Sequence, residues 1–515
     1  MPNRIARIGL AALAAFLLAA APDGPAPIPG KGADATEPAA GGEPAWSLAA
    51  RDPVELERRI RALAKESGLD GERAWAWAAA AAAIRDRGAG GRCEAGEDIA
   101  ISIRPAAWLK AHREDLRAGH LPAPLGTLLP AESEASVAGA LLGIPKSAAK
   151  AAQEIRVSAA FEPSGLLIRL AARPSGSISL PFGTPTGEPS AARALPPDAD
   201  LYASARLPEE ALALAAIASS FLARPAESAD PLQRMLAASS GEAAFAFSIG
   251  KGGLSGTLAA GARDEAGMRK LLNDLAEAPA GALQEALAAG GLGARIETEK
   301  SVRKIGGVDV GCRTHRLRVF GTGAPPDLEI PGLGGLASPS FLQAAAYLLS
   351  DHLVGPALKT ERAYAGGCAV ATMGADATDR MNAALDRLAK TAGPPDPLAA
   401  AGTRHGADAN LLVAIPLERA FRDLSGLALR VAGPLPLAGG AAEEMLPREG
   451  EFEGEGEPLT AAARIGLAGL RLEIFVPAKP VARIANFLAE RRKRLLEKIE
   501  KSGLPEGKGP GAEKP

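Results

Sequence analysis

Two serines stand one helical turn ahead of a lysine, in Ser147-Ala-Ala-Lys150 and Ser301-Val-Arg-Lys304. In serine acyl enzymes that spacing lets a lysine take the hydroxyl proton as the oxygen attacks a carbonyl. The same chemistry needs companion Ser-Asp-Asn and Lys-Thr-Gly elements, and the chain has neither. A pattern that occurs twice without companions reads as chance, so both serines are expected to be solvated residues. The nucleophile elbow Gly-x-Ser-x-Gly, the phosphate-binding Gly-x-x-x-x-Gly-Lys-Ser/Thr and the zinc motif His-Glu-x-x-His are also absent.

Metal chemistry has two candidate sets. His112, Glu114, Asp115 and His120 lie close together in AHREDLRAGH, but no paired spacing defines a tetrahedral site, and an exposed helix end accounts for them equally. Glu449, Glu451, Glu453, Glu455 and Glu457 alternate in REGEFEGEGEP and would form a carboxylate row on an extended strand. They lack the loop spacing of a dedicated calcium motif, so a solvated strand face or acidic loop is expected. His315, His352 and His405 stand alone. No catalytic, cofactor or metal residue is assigned, and no cofactor is implied.

Three cysteines allow one bridge in an oxidising compartment. Cys312 and Cys368 sit in strand-like runs and Cys93 in a glycine-rich loop. A Cys312–Cys368 bridge is therefore expected, with three free thiols as the alternative.

The 58 basic and 60 acidic residues leave no global field to attract a phosphate backbone, and aromatics make up only 4% of the chain. Nucleic acid is not an expected partner. The final helix clusters Arg491, Arg492, Lys493 and Arg494 beside Ile484, Phe487, Leu488, Leu495, Leu496 and Ile499. Such a helix can lie on an anionic membrane surface, or dock its apolar side on a sheet with its charges in water.

The elements that must position these residues follow from composition and period. Residues 1–21 carry Arg4 and Arg7, an apolar run and small residues, the layout of a secretory signal peptide, which predicts a periplasmic or secreted protein. Retention of that segment as an anchor is the alternative. A Pro, Gly and Ala-rich linker is expected over 22–45 and a disordered tail over 502–515. Between them, short strands separated by single helices predict an α+β fold of antiparallel sheets with helices packed on one face. Two to three repeated sheet-and-helix units are expected, over 46–195, 196–400 and 401–501.

The repeat rests on one phrase, an apolar run that breaks at a proline into a helix: IAISIRPAAWLKAH, LYASARLPEEALALA and LLVAIPLERAFRDL. Proline near a first turn gives up no hydrogen bond, and acids there meet the positive helix end. Glu209, Glu210 and Glu418 are accordingly read as helix-start residues.

At LPPDADLYASARLPEEAL and AYAGGCAVATMGADATDRMNAALDRL the chain resembles an exported bacterial family known only as a domain of unknown function. The resemblance spans roughly residues 195–490. It implies an exported α+β protein and supplies no site residues.

The function expected from all this is non-catalytic, in binding or envelope organisation. A carrier of apolar ligands or lipids, and a hydrolase assembled from distant segments, are the alternatives.

Overall fold

The structure is a computed structural model. It describes residues 46–50, 53–67, 93–120, 152–174, 190–207, 238–250, 253–275, 292–321, 357–390, 392–406, 408–432, 443–447, 451–452, 456–466 and 469–501. Residues 1–45, expected to be a signal peptide and linker, and 502–515, expected to be a tail, lie outside the described residues, as do Ser147 to Lys150, Glu209 and Glu210.

Fourteen strands are described: β1 (Trp46–Ala50), β2 (Ile99–Ile103), β3 (Ala152–Glu162), β4 (Gly165–Pro174), β5 (Leu201–Arg206), β6 (Ser239–Gly250) and β7 (Gly253–Ala262), then β8 (Leu292–Ile305), β9 (Val308–Gly321), β10 (Ala357–Ala365), β11 (Cys368–Met373), β12 (Leu411–Ile415), β13 (Leu459–Gly466) and β14 (Gly469–Pro477). They form one sheet in the order β1-β2-β3-β4-β14-β13-β12-β5-β6-β7-β11-β10-β9-β8. Every neighbouring pair is antiparallel.

Hairpins close where turn residues stand, with Glu162 paired to Gly165, Gly250 to Gly253 and Gly466 to Gly469. Two further hairpins turn at glycine pairs. Gly306-Gly307 and Gly366-Gly367 each have two successive positive φ angles, the backbone a tight two-residue hairpin demands.

The sheet is single where several were expected. β14 pairs with β4 and β12 pairs with β5, so strands of the 401–501 stretch join those of the other two stretches. An antiparallel edge left open by one stretch is hydrogen-bonded by the next, which satisfies its backbone groups.

Helices also cover both faces, not one. Successive strand residues point to opposite faces. In β11, Val370 joins the main core with Met381 of α5 (Ala377–Ala389), whereas Ala369 packs with Met268 of α4 (Glu265–Leu275). In β3, Phe161 meets Leu56 and Ile60 of α1 (Pro53–Ser67), while its neighbour Ala160 meets Leu167 and Phe475 on the other face. Most members of the main core are alanines, and Tyr202 fits among them because Ala246 and Ala414 flank it on the two adjacent strands. Its hydroxyl accepts the Ala199 N–H at 2.8 Å.

The proline joint is present at two of its three positions. β2 runs into α2 (Pro105–Ala111), followed by α3 (Arg113–Arg117), and β12 runs into α7 (Leu417–Ala432) after α6 (Asp396–His405). After β5 the helix side of the phrase lies outside the described residues. Pro416 is the residue whose carbonyl accepts the first helical N–H, from Ala420 at 2.9 Å. The last element, α8 (Ala478–Lys501), packs on α1 and α7. Among the described residues no helix is long and apolar enough to cross a membrane.

Candidate functional site

A cavity of about 410 Å³ opens where four segments meet, lined by Asp198, Ser248, Gly250, Asp376, Arg380, Arg419, Arg422 and Asp423. The 3-10 turn Ala191–Ala194 and the Leu195–Asp200 segment bring Asp198 to it. Ser248 reaches it as the inward position of β6 that continues Ala244 and Ala246, and α5 and α7 supply the rest.

Asp376 is the N-cap residue of α5, yet its side chain caps no helix N–H. Aspartate at that position ordinarily accepts such a bond, worth about 1 kcal/mol. Here Asp376 Oδ2 instead accepts Arg380 Nε–H at 2.7 Å. A local stabilisation is forgone to hold an ion pair at the cavity wall.

Three residues lining this cavity each carry a buried polar atom with no hydrogen-bond partner among the described residues: Ser248 Oγ, Asp376 Oδ1 and Arg380 Nη1. Ser248 is 6% exposed and Arg380 8%. A buried polar atom left unpaired costs about 1–3 kcal/mol, more when charged. Arg419 Nη1 donates to the Pro197 and Ala199 carbonyls, and Arg422 Nε to Asp423 Oδ1 at 2.9 Å.

Behind the wall, Asp200 Oδ2 accepts the Ile249 N–H at 2.7 Å. Burial pushes its carboxyl up to about 6, against the Ile249 bond, with Asp423 pushing further and Arg419 opposing.

A second cavity, of about 470 Å³, is lined by Arg169, Arg404, Arg464, Arg471, Glu162, Asp408, Leu167, His405 and Glu473. Glu473 Oε2 lies 3.1 Å from His405 Nδ1, and His405 Nε2 lies 2.9 Å from Thr460 Oγ1. A carboxylate only accepts, so Nδ1 carries the hydrogen toward Glu473, and Nε2 and Thr460 Oγ1 share the second bond. This is the hydroxyl, imidazole and acid order of a nucleophilic triad. Thr460 is only 2% exposed, however. The His405 bond, then Arg471, Arg464 and Arg169, overcome burial and hold Glu473 at about 2. Its charge is already shared among three guanidiniums, and the assembly ties α6 to β13 and β14.

The other candidates fall apart in space. Ser301 and Lys304 lie three residues apart on β8, on opposite faces, and Lys304 pairs with Asp309 at 3.6 Å. His112 packs at a tilt against Trp108 and lies 3.3 Å from Asp115. Among the described residues no group of three or more His, Cys, Asp or Glu could hold a metal ion. Of the glutamate row, Glu451 pairs with Arg491, Glu457 pairs with Arg404, and the other three lie outside the described residues. Glu418 stands in the first turn of α7 as expected; it pairs with Arg483 at 2.6 Å and accepts the Gly456 N–H. On α8, Arg491 and Lys498 are paired to Glu451 and Glu444, and Phe487 packs on Phe421 and Phe452.

The Cys312–Cys368 bridge is not formed, and none of the three cysteines is in a disulfide. Cys312 on β9 and Cys368 on β11 flank β10, pairing with Glu361 and Ala365 four residues apart. Two strand spacings alone separate them by about 9.5 Å. That exceeds the roughly 7 Å between Cα atoms that a bridge spans.

Sequence reading missed both cavities because each is assembled from segments far apart in the chain. Local signals did exist. Glu473 alternates with Phe475 on β14, and Arg380 adjoins Met381 on the apolar side of α5, so each is a charge at an inward position. No family model, curated protein or solved structure matches the chain.

Proposed function

We propose that the chain is an exported, non-catalytic binding protein, of the domain-of-unknown-function family it resembles, and that the cavity between α5 and α7 holds its ligand. One observation carries this reading: Ser248, Asp376 and Arg380 line one cavity, and each carries a buried polar atom without a partner among the described residues. Such a cost is removed where a bound polar group supplies the missing partner. The two segments that carry the family resemblance also meet here, giving Asp198 from one and Asp376 and Arg380 from the other. The repeated-unit organisation belongs to the same proposal, supported by the strand-to-helix joint at β2–α2 and β12–α7.

The rival readings have less support. An apolar carrier needs an apolar cavity, and both cavities described are ringed by charge. A hydrolase needs an accessible nucleophile, and the hydroxyl bonded to His405 is sealed.

The three readings separate in one set of measurements on the full chain. Thermal unfolding is followed with small polar solutes such as L-alanine, fluorescence with a polyene fatty acid, and release of nitrophenol from p-nitrophenyl acetate. The expected outcome is a raised unfolding temperature with a polar solute and no response from the other two. Fatty-acid emission that saturates, or ester turnover lost in His405→Ala, would replace the proposal with the corresponding rival.

A further inference from the structure

We infer that the cavity between α5 and α7 binds a small zwitterion, a molecule with one carboxylate and one ammonium group, as in free amino acids and short peptides. The inference rests on the reading of this cavity as a ligand site and adds the chemistry of what fills it.

The two charged orphans define opposite needs. Arg380 Nη1 is a donor only and requires an acceptor; Asp376 Oδ1 is an acceptor only and requires a donor. They belong to one ion pair joined through Nε and Oδ2, and both residues line the same cavity. Buried charged groups form their strongest hydrogen bonds to charged partners. A carboxylate for Arg380 and an ammonium for Asp376 meet both needs, and Ser248 Oγ can donate to the one or accept from the other.

The balance of charge points the same way. Asp198, Asp376 and Asp423 face Arg380, Arg419 and Arg422, three carboxylates to three guanidiniums. A cavity with no net charge gives no advantage to a net anion such as phosphate or to a net cation. Size permits more than a solvent molecule: about 410 Å³ is many times the roughly 30 Å³ of one water. It accommodates an amino acid or a dipeptide.

The test is calorimetric titration of the full chain with L-alanine and L-alanyl-L-alanine, beside propionate, ethylammonium, glucose and inorganic phosphate. Saturable heat is expected from at least one zwitterion, with propionate and ethylammonium each at least tenfold weaker. Arg380→Gln and Asp376→Asn should each weaken that binding at least tenfold, and Lys304→Gln on β8 should leave it unchanged. Circular dichroism checks that the variants fold, and Ser248→Ala, which removes no charge, serves if either does not, with a weakening of a few-fold expected. Propionate binding as tightly as the dipeptide overturns the zwitterion inference. Glucose or phosphate binding that Arg380→Gln abolishes, with the zwitterions inert, overturns it while leaving the cavity a ligand site. If no solute binds, both readings fail.

Discussion

Arg380 and Asp376 stand one helical turn apart on α5 and share a single hydrogen bond of 2.7 Å, Nε to Oδ2, while Nη1 of the one and Oδ1 of the other are buried without partners. A guanidinium and a carboxylate can pair through two parallel bonds. This pair is joined through one such bond, and both residues line the cavity. On the reading of the cavity as a ligand site, a bound polar group would relieve the cost of the unpaired atoms.

Asp200 should give the protein an unusual acid dependence. Its carboxyl rises to about 6 in the fold, from the model-peptide value of 3.8. Between about pH 4 and 6 the folded chain therefore holds a proton that the unfolded chain has released, and stability falls as pH rises through that window. The full shift corresponds to up to about 3 kcal/mol. Urea unfolding at pH 4, 5, 6 and 7 should show this slope in the wild type and lose it in Asp200→Asn. Equal slopes in both chains would show that burial does not act on Asp200 as described.

Glu473 works in the opposite sense. Held at about 2 against an ordinary 4.5, it contributes stability above about pH 4.5 that disappears as pH falls toward 2. Glu473→Gln leaves Arg169, Arg464 and Arg471 facing a neutral amide in a largely buried setting. The expected loss at pH 7 is about 3–5 kcal/mol, read from the urea midpoint. The gap between variant and wild type should narrow below pH 4.5. A loss under 1 kcal/mol at pH 7 would mean the guanidiniums find other partners.

Gly165 is required by contact. A Cβ there would stand 2.6 Å from Phe475 Cζ and would also collide with the Val476 carbonyl oxygen. Phe475 is fully buried, so it has nowhere to retreat. Gly165→Ala should cost about 1–3 kcal/mol by chemical unfolding. Gly393→Ala, where a Cβ meets nothing within 4 Å, should stay within about 0.5 kcal/mol of wild type.

Local order was legible and long-range order was not. The hairpins at EPSG and GKGG, the apolar stripe through Met381, Ala384 and Leu385, and the strand-to-helix turns at Pro105 and Pro416 all depend on residues a few positions apart. The single sheet depends on β4 meeting β14, some 300 residues away, and no local pattern encodes that pairing. Helices on both faces were hidden because β11 is apolar on both sides, with Ala369 and Ala371 on one and Val370 on the other, which blurs the alternation of apolar and polar positions. The cysteine pairing failed for a related reason: strand character was read correctly, but a third strand, β10, lies between the two. His405, taken as isolated, acquires Glu473 and Thr460 only through the fold.

The most direct test of the central claim is the unfolding free energy of Ser248→Ala against wild type, each measured with and without L-alanyl-L-alanine. Removing a buried hydroxyl that has no partner in the unliganded protein should leave stability unchanged or raise it by up to about 1 kcal/mol, and the dipeptide should stabilise wild type more than the variant. A loss of 1–3 kcal/mol without dipeptide, and no effect of dipeptide on either chain, would contradict the account and make Ser248 part of a satisfied core.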